Sequence, residues 1–252
     1  MLKSRIIPCL LLRDGGLTKT EKFKKGKYIG DPINAVRIFN DLAVDELIFL
    51  DIDASKHKVV PAYDVIRELT SECFMPFAYG GGISTAKQIE QILKIGVEKI
   101  VINKIALDNR DFVAEAVKQF GSSTIIVGID VKKNFLGKYF VYDHVKTQTT
   151  NEQVIAYAKE IESLGAGEIF VNNVDRDGVC NGYDTTLISQ VSKNVGIPVI
   201  ACGGAATIED FGAAVKSGAS AAAAGSIFVY QGPHKAVLIS YPNVADLEKV
   251  LK

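Results

Sequence analysis

Eight short apolar segments recur along the chain, and each is followed by a stretch with helical periodicity. The segments are almost continuously apolar, which is typical of parallel strands buried on both faces. Strands that alternate with helices predict either a closed barrel or a doubly wound open sheet. The predicted strands are Arg5–Leu12, Glu46–Asp51, Met75–Tyr79, Lys99–Asn103, Thr124–Asp130, Glu168–Val174, Pro198–Cys202 and Ser220–Gly225.

The intervening segments predict eight helices. Asp31 directly before Pro32 is a signature of a helix start. The aromatic and lysine-rich segment Lys132–Asn151 predicts a hairpin excursion after the fifth strand. The predicted helices are Pro32–Leu42, Ala62–Glu72, Thr85–Ile95, Asn109–Phe120, Glu152–Leu164, Thr185–Val195, Thr207–Ser217 and Asn243–Leu251.

An internal repeat favours the barrel over the open sheet. The run Gly80–Thr85 resembles Cys202–Thr207, and Glu46–Phe49 resembles Glu168–Val171 at the same offset. Two copies of a four-stranded half close into a symmetric barrel, whereas an open sheet would have to break that symmetry. The sequence therefore predicts a (β/α)8 TIM barrel built from two duplicated (β/α)4 half-barrels. It forms a single domain over residues 1–252, a length close to the ~250 residues typical of such barrels.

Composition and charge narrow the functional classes. Lys plus Arg and Asp plus Glu both number 29, so the formal net charge is zero. This balance argues against nucleic acid or an anionic membrane as the main partner. No signal peptide or membrane-spanning run is evident, which predicts a cytoplasmic location. The cysteines and histidines lack metal-ligand spacing, so we expect reduced thiols, no metal and no cofactor.

Two glycine motifs follow the third and seventh predicted strands, where the active sites of such barrels form. A glycine-rich turn lets backbone N–H groups approach a phosphate, and a helix N-terminus adds partial positive charge. Asn103 extends the first site, and Gly225 with Ser226 extends the second. Glycines that merely turn the chain are the alternative, but two symmetric motifs favour a ligand with a phosphate at each end.

Motifs along essentially the whole chain resemble the HisF family, the synthase subunits of imidazole glycerol phosphate synthase. The related isomerase HisA shares the half-barrel plan, but the runs Arg5-Ile-Ile-Pro-Cys-Leu and Asp175-Arg-Asp-Gly favour HisF. The motifs are Arg5-Ile-Ile-Pro-Cys-Leu, Gly30-Asp-Pro, Asp45-Glu-Leu-Ile-Phe-Leu-Asp-Ile, Tyr79-Gly-Gly-Gly-Ile, Lys99-Ile-Val-Ile-Asn, Ala201-Cys-Gly-Gly-Ala, Asp175-Arg-Asp-Gly and Gly182-Tyr-Asp.

The resemblance implies an activity and a partner. HisF proteins take ammonia from a glutaminase subunit, HisH, with which they form a heterodimer. They add it to a bisphosphorylated ribulosyl aminoimidazole carboxamide, and cyclisation and cleavage yield imidazole glycerol phosphate. The resemblance implies that Lys19, in the loop after the first strand, closes over substrate. It implies phosphate contacts at Gly82, Asn103, Asp177, Gly178, Gly204, Gly225 and Ser226.

The resemblance also implies a gate for ammonia at the opposite, N-terminal face of the barrel. Alternating charges there can pair to close the opening and still pass a small neutral molecule. Without the resemblance, a plain surface salt-bridge cluster would be the preferred interpretation. The gate residues are Arg5, Glu46, Lys99 and Glu168.

One catalytic position departs from the family. Family members use two aspartates as an acid/base pair, at the ends of the first and fifth strands. Asp130 fills the second place, but the repeat puts Leu11 in the first. Leucine cannot carry a proton, and Asp14 lies three residues further on, inside the loop. General acid/base groups contribute about 10²–10⁴-fold, so we expect impaired cyclisation if Leu11 faces the pocket.

Asp53 and Lys104 also stand where the family often has threonine, and Lys104 places a cation beside the first phosphate site. Runs such as Asp51-Ile-Asp-Ala-Ser-Lys resemble a divergent HisF branch that accompanies enzymes of bacterial surface polysaccharides. In that branch, ammonia is thought to reach a third protein that amidates or amidinates a sugar. This branch is the favoured prediction. The alternatives are an authentic histidine-pathway cyclase and a non-catalytic ammonia conduit that activates the glutaminase.

Overall fold

Eight parallel strands close into a barrel in the computed structural model, which describes residues 4–251. Each strand pairs with the next along the chain, and the eighth pairs with the first. This closure confirms the predicted (β/α)8 barrel. The barrel strands are β1 Arg5–Arg13, β2 Leu47–Asp51, β3 Phe77–Gly80, β4 Lys99–Ile102, β5 Ile125–Lys133, β6 Glu168–Asn173, β7 Val199–Cys202 and β8 Ala221–Ala224.

Eight main helices surround the strands, and each begins within two residues of its predicted start. Asp31 caps the first helix by accepting a hydrogen bond from Asn34 N at 2.8 Å. Short helices at Ala54–His57, Lys104–Asp108 and Ser226–Val229 were not predicted. The main helices are α1 Pro32–Asp41, α2 Tyr63–Glu72, α3 Ala86–Ile95, α4 Asp111–Phe120, α5 Val154–Ser163, α6 Thr185–Ser192, α7 Ile208–Lys216 and α8 Val244–Leu251.

Alternation along the strands divides the core into two layers. In β1, Ile7 and Leu11 belong to the cluster inside the barrel, whereas Ile6 and Leu10 pack beneath the helices. Because side chains alternate along the strand, the side chain of Leu11 faces the barrel interior.

The two halves share a further feature, an antiparallel hairpin that continues the first strand of each half. Hairpin 1 comprises strands Gly16–Lys19 and Lys27–Gly30 and pairs with β1. Hairpin 2 comprises strands Tyr139–Asp143 and Gln148–Gln153 and pairs with β5. The predicted excursion after the fifth strand is confirmed as hairpin 2, although its first residues extend β5. Hairpin 1 was expected only as a loop.

Helix length bears on membrane insertion. Across residues 4–251, no helix combines the length and the apolar character needed to cross a membrane.

Candidate active site

A cavity opens at the carboxyl ends of the barrel strands, where both hairpins also reach it. Six of the residues that the sequence assigned to catalysis or phosphate binding line this cavity. Gly178, Gly204 and Ser226 lie outside its lining. The predicted residues that line it are Lys19, Gly82, Asn103, Asp130, Asp177 and Gly225.

Asp130, near the end of β5, is buried and faces the cavity. Asn103 Nδ2 donates a hydrogen bond to its Oδ2 at 2.9 Å. His144 Nδ1 lies 3.1 Å from the same oxygen. His144 sits on the turn of hairpin 2 and also lines the cavity. The carboxylate is therefore bracketed by an amide from the end of β4 and an imidazole from hairpin 2.

The carboxylate changes the acidity of the imidazole. Burial lowers the pKa of His144, but its hydrogen bond and charge interaction with Asp130 outweigh burial, with a smaller contribution from Asp143. The net effect raises this pKa above its ordinary value of 6.5. Local sequence patterns contain no cue to this contact, since His144 lies in a polar hairpin turn, away from the barrel strands.

The first glycine motif forms a tight turn after β3. Gly81 and Gly82 adopt φ values of +128° and +68°, in the left-handed region that favours glycine. A Cβ at Gly82 would lie 2.6 Å from Val59 O, so no larger residue fits. This turn leaves its backbone accessible at the cavity, as an anion-binding turn requires.

The second glycine motif follows β7 and is packed more tightly. Gly204 has φ +115°, and a Cβ there would lie 2.1 Å from Gly182 O. Gly178 packs against hairpin 1, since its Cβ would lie 2.3 Å from Thr20 O. Ser226 starts the short helix after β8, and its buried Oγ has no hydrogen-bond partner among the described residues. An unpaired hydroxyl at a helix start is a ready donor for an anion.

The cavity holds carboxylates besides those of Asp130 and Asp177. Asp53 pairs with Arg13, whose Nε lies 2.6 Å from Asp53 Oδ2. Asp51 accepts a hydrogen bond from Ala54 N at 3.1 Å, and burial raises its pKa. Lys104, expected as a cation beside the first phosphate site, is bound by Asp143 at 3.0 Å. Most charged side chains around the mouth of the barrel, where the cavity opens at the carboxyl ends of the strands, are therefore already paired.

The opposite end of the barrel is closed by a ring of four charged side chains at the starts of the strands. Arg5 Nη1 lies 2.6 Å from Glu46 Oε2, and Arg5 also bonds to Glu168. Lys99 Nζ lies 2.7 Å from Glu168 Oε1 and 3.3 Å from Glu46 Oε1. Burial raises the pKa of Glu168, but hydrogen bonds from Arg5 and Lys99 outweigh it and lower the pKa. The four predicted gate residues thus form one connected network.

Comparison with known proteins agrees with this architecture. The family model described as Histidine biosynthesis protein matches residues 5–235. A protein of Leptospira interrogans named as an imidazole glycerol phosphate synthase subunit HisF is 44% identical over 98% of both chains. The chain belongs to the HisF family.

Other HisF proteins cover a similar share of the chain. A Pseudomonas aeruginosa protein named as imidazole glycerol phosphate synthase subunit hisF2 is 49% identical over 98% of this chain and 99% of its own. The HisF subunit of Alkaliphilus metalliredigens is 40% identical over 91% of this chain and 92% of its own. Both relatives align over nearly their full lengths.

Within the HisF frame, the end of β1 is the unusual part of the mouth. Leu11 lines the cavity between Cys9 and Arg13, which point to the same side of the strand. Asp14, the nearest acidic residue, lies beyond the strand in the turn with φ +50° and does not line the cavity. No carboxylate from β1 therefore faces Asp130 across the mouth.

Proposed function

We propose that this chain is the synthase subunit of a glutamine amidotransferase that adds ammonia from a HisH-like glutaminase to a phosphorylated substrate. Its reaction serves sugar amidation for a bacterial surface polysaccharide in the cytoplasm, not histidine synthesis. Leu11 carries this proposal, because an apolar side chain lines the cavity where the resemblance implies a catalytic aspartate.

The two glycine motifs support a substrate with two phosphate groups. In this proposal Gly82 and Asn103 hold one phosphate near β3 and β4. The second phosphate binds near β7 and β8, where Lys19 offsets the charge of Asp177. The residues assigned to this second site are Asp177, Gly178, Gly204, Gly225 and Ser226.

The charged ring supports a supply of ammonia from the N-terminal end of the barrel, opposite the cavity. It combines two cations with two anions, so its own net charge is zero. Above it, the inner core is apolar, with side chains such as Ile7 and Ile200. Neutral ammonia crosses an apolar interior at far lower cost than ammonium does. In this proposal the glutaminase docks at the ring and opens it.

The pattern of relatives supports a role apart from the histidine pathway. The Pseudomonas aeruginosa relative, named hisF2, is 49% identical to this chain, whereas the HisF of Alkaliphilus metalliredigens is 40% identical to it. A number in a name is typical of an organism with more than one HisF protein. A second copy is free to accept another substrate.

The test is turnover of the ribulosyl substrate with ammonium chloride, without glutaminase. We expect the wild type to be at least about 100-fold slower than the Leu11→Asp variant, because that variant has the two-aspartate pair that the family uses for this substrate. Leu11→Asn is the matched control, since it has the same shape without an ionisable group. Measurable wild-type turnover as fast as that of Leu11→Asp would establish the authentic cyclase instead.

A second measurement distinguishes a catalytic subunit from a non-catalytic ammonia conduit. In the complex with its glutaminase, Asp130→Asn is expected to abolish product formation while glutaminase stimulation survives. Product formation unaffected by Asp130→Asn would leave this subunit with no chemical role and support the conduit.

A further inference from the structure

The cavity needs a second proton-transfer group, and β1 does not supply it. The residues of β1 that face the cavity are Cys9, Leu11 and Arg13. Arg13 is held by Asp53, and a guanidinium is a poor base. Cys9 is buried beside Cys202, so the second proton-transfer group comes from an element other than β1.

His144 provides such a group. Its Nδ1 faces Asp130 Oδ2 at 3.1 Å, and the ring lines the cavity. Among the described residues, no hydrogen bond is made to its Nε2. We propose that His144 is a catalytic residue of this subunit, exchanging protons with the substrate through Nε2 while Asp130 holds Nδ1. This inference rests on the proposed addition of ammonia to a phosphorylated substrate.

The turn that carries His144 is fixed by its neighbour. Asp143 is almost fully buried and accepts hydrogen bonds from Val145 N at 3.0 Å and Lys146 N at 2.9 Å. Lys104, in the short helix after β4, donates to Asp143 Oδ2 at 3.0 Å. The imidazole is thus anchored to both halves of the mouth, as positioned proton transfer requires.

The charges around His144 favour transfer of a proton from the substrate to the imidazole. Asp130 of β5 and Asp143 of the turn are carboxylates that stabilise the imidazolium, and Lys104 opposes it. Asn103 is neutral and donates to Asp130 instead of competing for His144. An Asp–His pair of this kind fixes the ring and stabilises the charged form once a proton has been taken.

The proposed step balances without an oxidant or a reductant. The ammonia nitrogen bonds to a carbonyl carbon of the phosphorylated substrate. One proton of the resulting ammonium group passes to Nε2, and the imidazolium returns it to the substrate oxygen. A second transfer, again from nitrogen through Nε2 to the hydroxyl, releases water and leaves a carbon–nitrogen double bond.

Nuclear magnetic resonance of ¹⁵N-histidine tests the pair without any acceptor. The chain has three histidines, so His57→Gln and His234→Gln assign the spectrum. We expect His144 to be protonated at Nδ1 in its neutral form, with a pKa above the ordinary value of 6.5. Asp130→Asn should lower the pKa of His144. A His144 whose pKa is unchanged by Asp130→Asn, or that is protonated at Nε2 instead, would overturn the proposal.

Turnover of the ribulosyl substrate with ammonium chloride tests the chemistry. In the wild-type background, His144→Ala is expected to lower kcat about 10²–10⁴-fold with little change in KM, and added imidazole should restore part of it. In the Leu11→Asp background the same change should cost far less, because the aspartate replaces the lost group. An equal loss in both backgrounds without imidazole rescue, or no loss, would contradict a catalytic role.

The outcomes separate this inference from the proposed function. Histidine-pathway turnover by the wild type would refute the sugar-amidation role, yet its loss in His144→Ala would still support the inference. Where the wild type shows no turnover of the ribulosyl substrate, the resonance measurements alone decide the inference. His234→Gln is the activity control, because that exposed residue lies outside the cavity.

Discussion

Lys19 Nζ lies 3.2 Å from Asp177 Oδ1, which joins hairpin 1 to the loop after β6. Both residues are buried. Lys19 also donates to Thr20 O at 2.8 Å, and Thr20 Oγ1 donates to Asp177 Oδ2 at 3.2 Å. Hairpin 1 is therefore held over the mouth by a buried ion pair, and both of its partners make further hydrogen bonds.

Replacing Lys19 with Met is expected to lower the free energy of unfolding by about 3–5 kcal/mol, because Asp177 then stays buried without its cation. Urea unfolding measures the change. The matched control is Lys249→Met, which breaks an exposed pair with Asp246 and should cost far less. Equal losses in the two variants would show that the Lys19 pair is not buried in solution.

The charged ring predicts a pH dependence of stability. The pKa of Glu168 is about 4.5 in the unfolded chain and lower in the folded protein. Its contribution is therefore complete above pH 4.5 and is lost as the pH falls through the folded pKa. We expect the stability difference between wild type and Glu168→Gln to shrink below that pH in urea titrations. A difference that stays constant down to pH 3 would contradict the pairing with Arg5 and Lys99.

Gly204→Ala is expected to destabilise the fold and the second phosphate site together. The positive φ costs roughly 1–2 kcal/mol for a residue with a Cβ. The clash with Gly182 O adds about 1–3 kcal/mol. Gly121→Ala is the matched control, with φ +88° and nothing within 4 Å of its Cβ. Thermal unfolding with and without inorganic phosphate measures both effects; equal shifts in the two variants would rule out the clash.

The attachment of hairpin 2 is open to a similar test. Tyr139 OH donates to Asp184 Oδ1 at 2.8 Å, and Asp184 also caps α6 by accepting from Leu187 N. Tyr139→Phe should cost about 1.5–3 kcal/mol, because the bond is made to a charged group. Tyr28→Phe, at an exposed tyrosine, should be nearly neutral. A neutral Tyr139→Phe would mean that water satisfies Asp184 as well as the phenol does.

Periodicity was sufficient to predict the alternating strands and helices, because each strand buries both faces and each helix buries one, and the internal repeat then favoured the barrel. The repeat aligned Leu11 with Asp130, and the structure shows that Leu11 lines the cavity. The assignment of residues 1–252 to one domain stays a prediction. The short helix Lys104–Asp108 was missed because five residues are too few for a periodic pattern.

The contacts that define the mouth are non-local, and local patterns say nothing about them. His144 meets Asp130 only because hairpin 2 folds back over β5. Gly178 packs against hairpin 1, which had been predicted as a plain loop, and its phosphate contact stays a prediction. In each case the partner comes from an excursion whose course depends on pairing with the end of a strand.

Hairpin 1 brings Lys19 to the mouth and hairpin 2 brings His144, and neither hairpin contributes a strand to the closed cylinder. The parts that bear reactive groups are thus appendages, while the cylinder mainly supplies shape. Such a division lets evolution exchange one appendage and obtain a new reaction on an inherited frame.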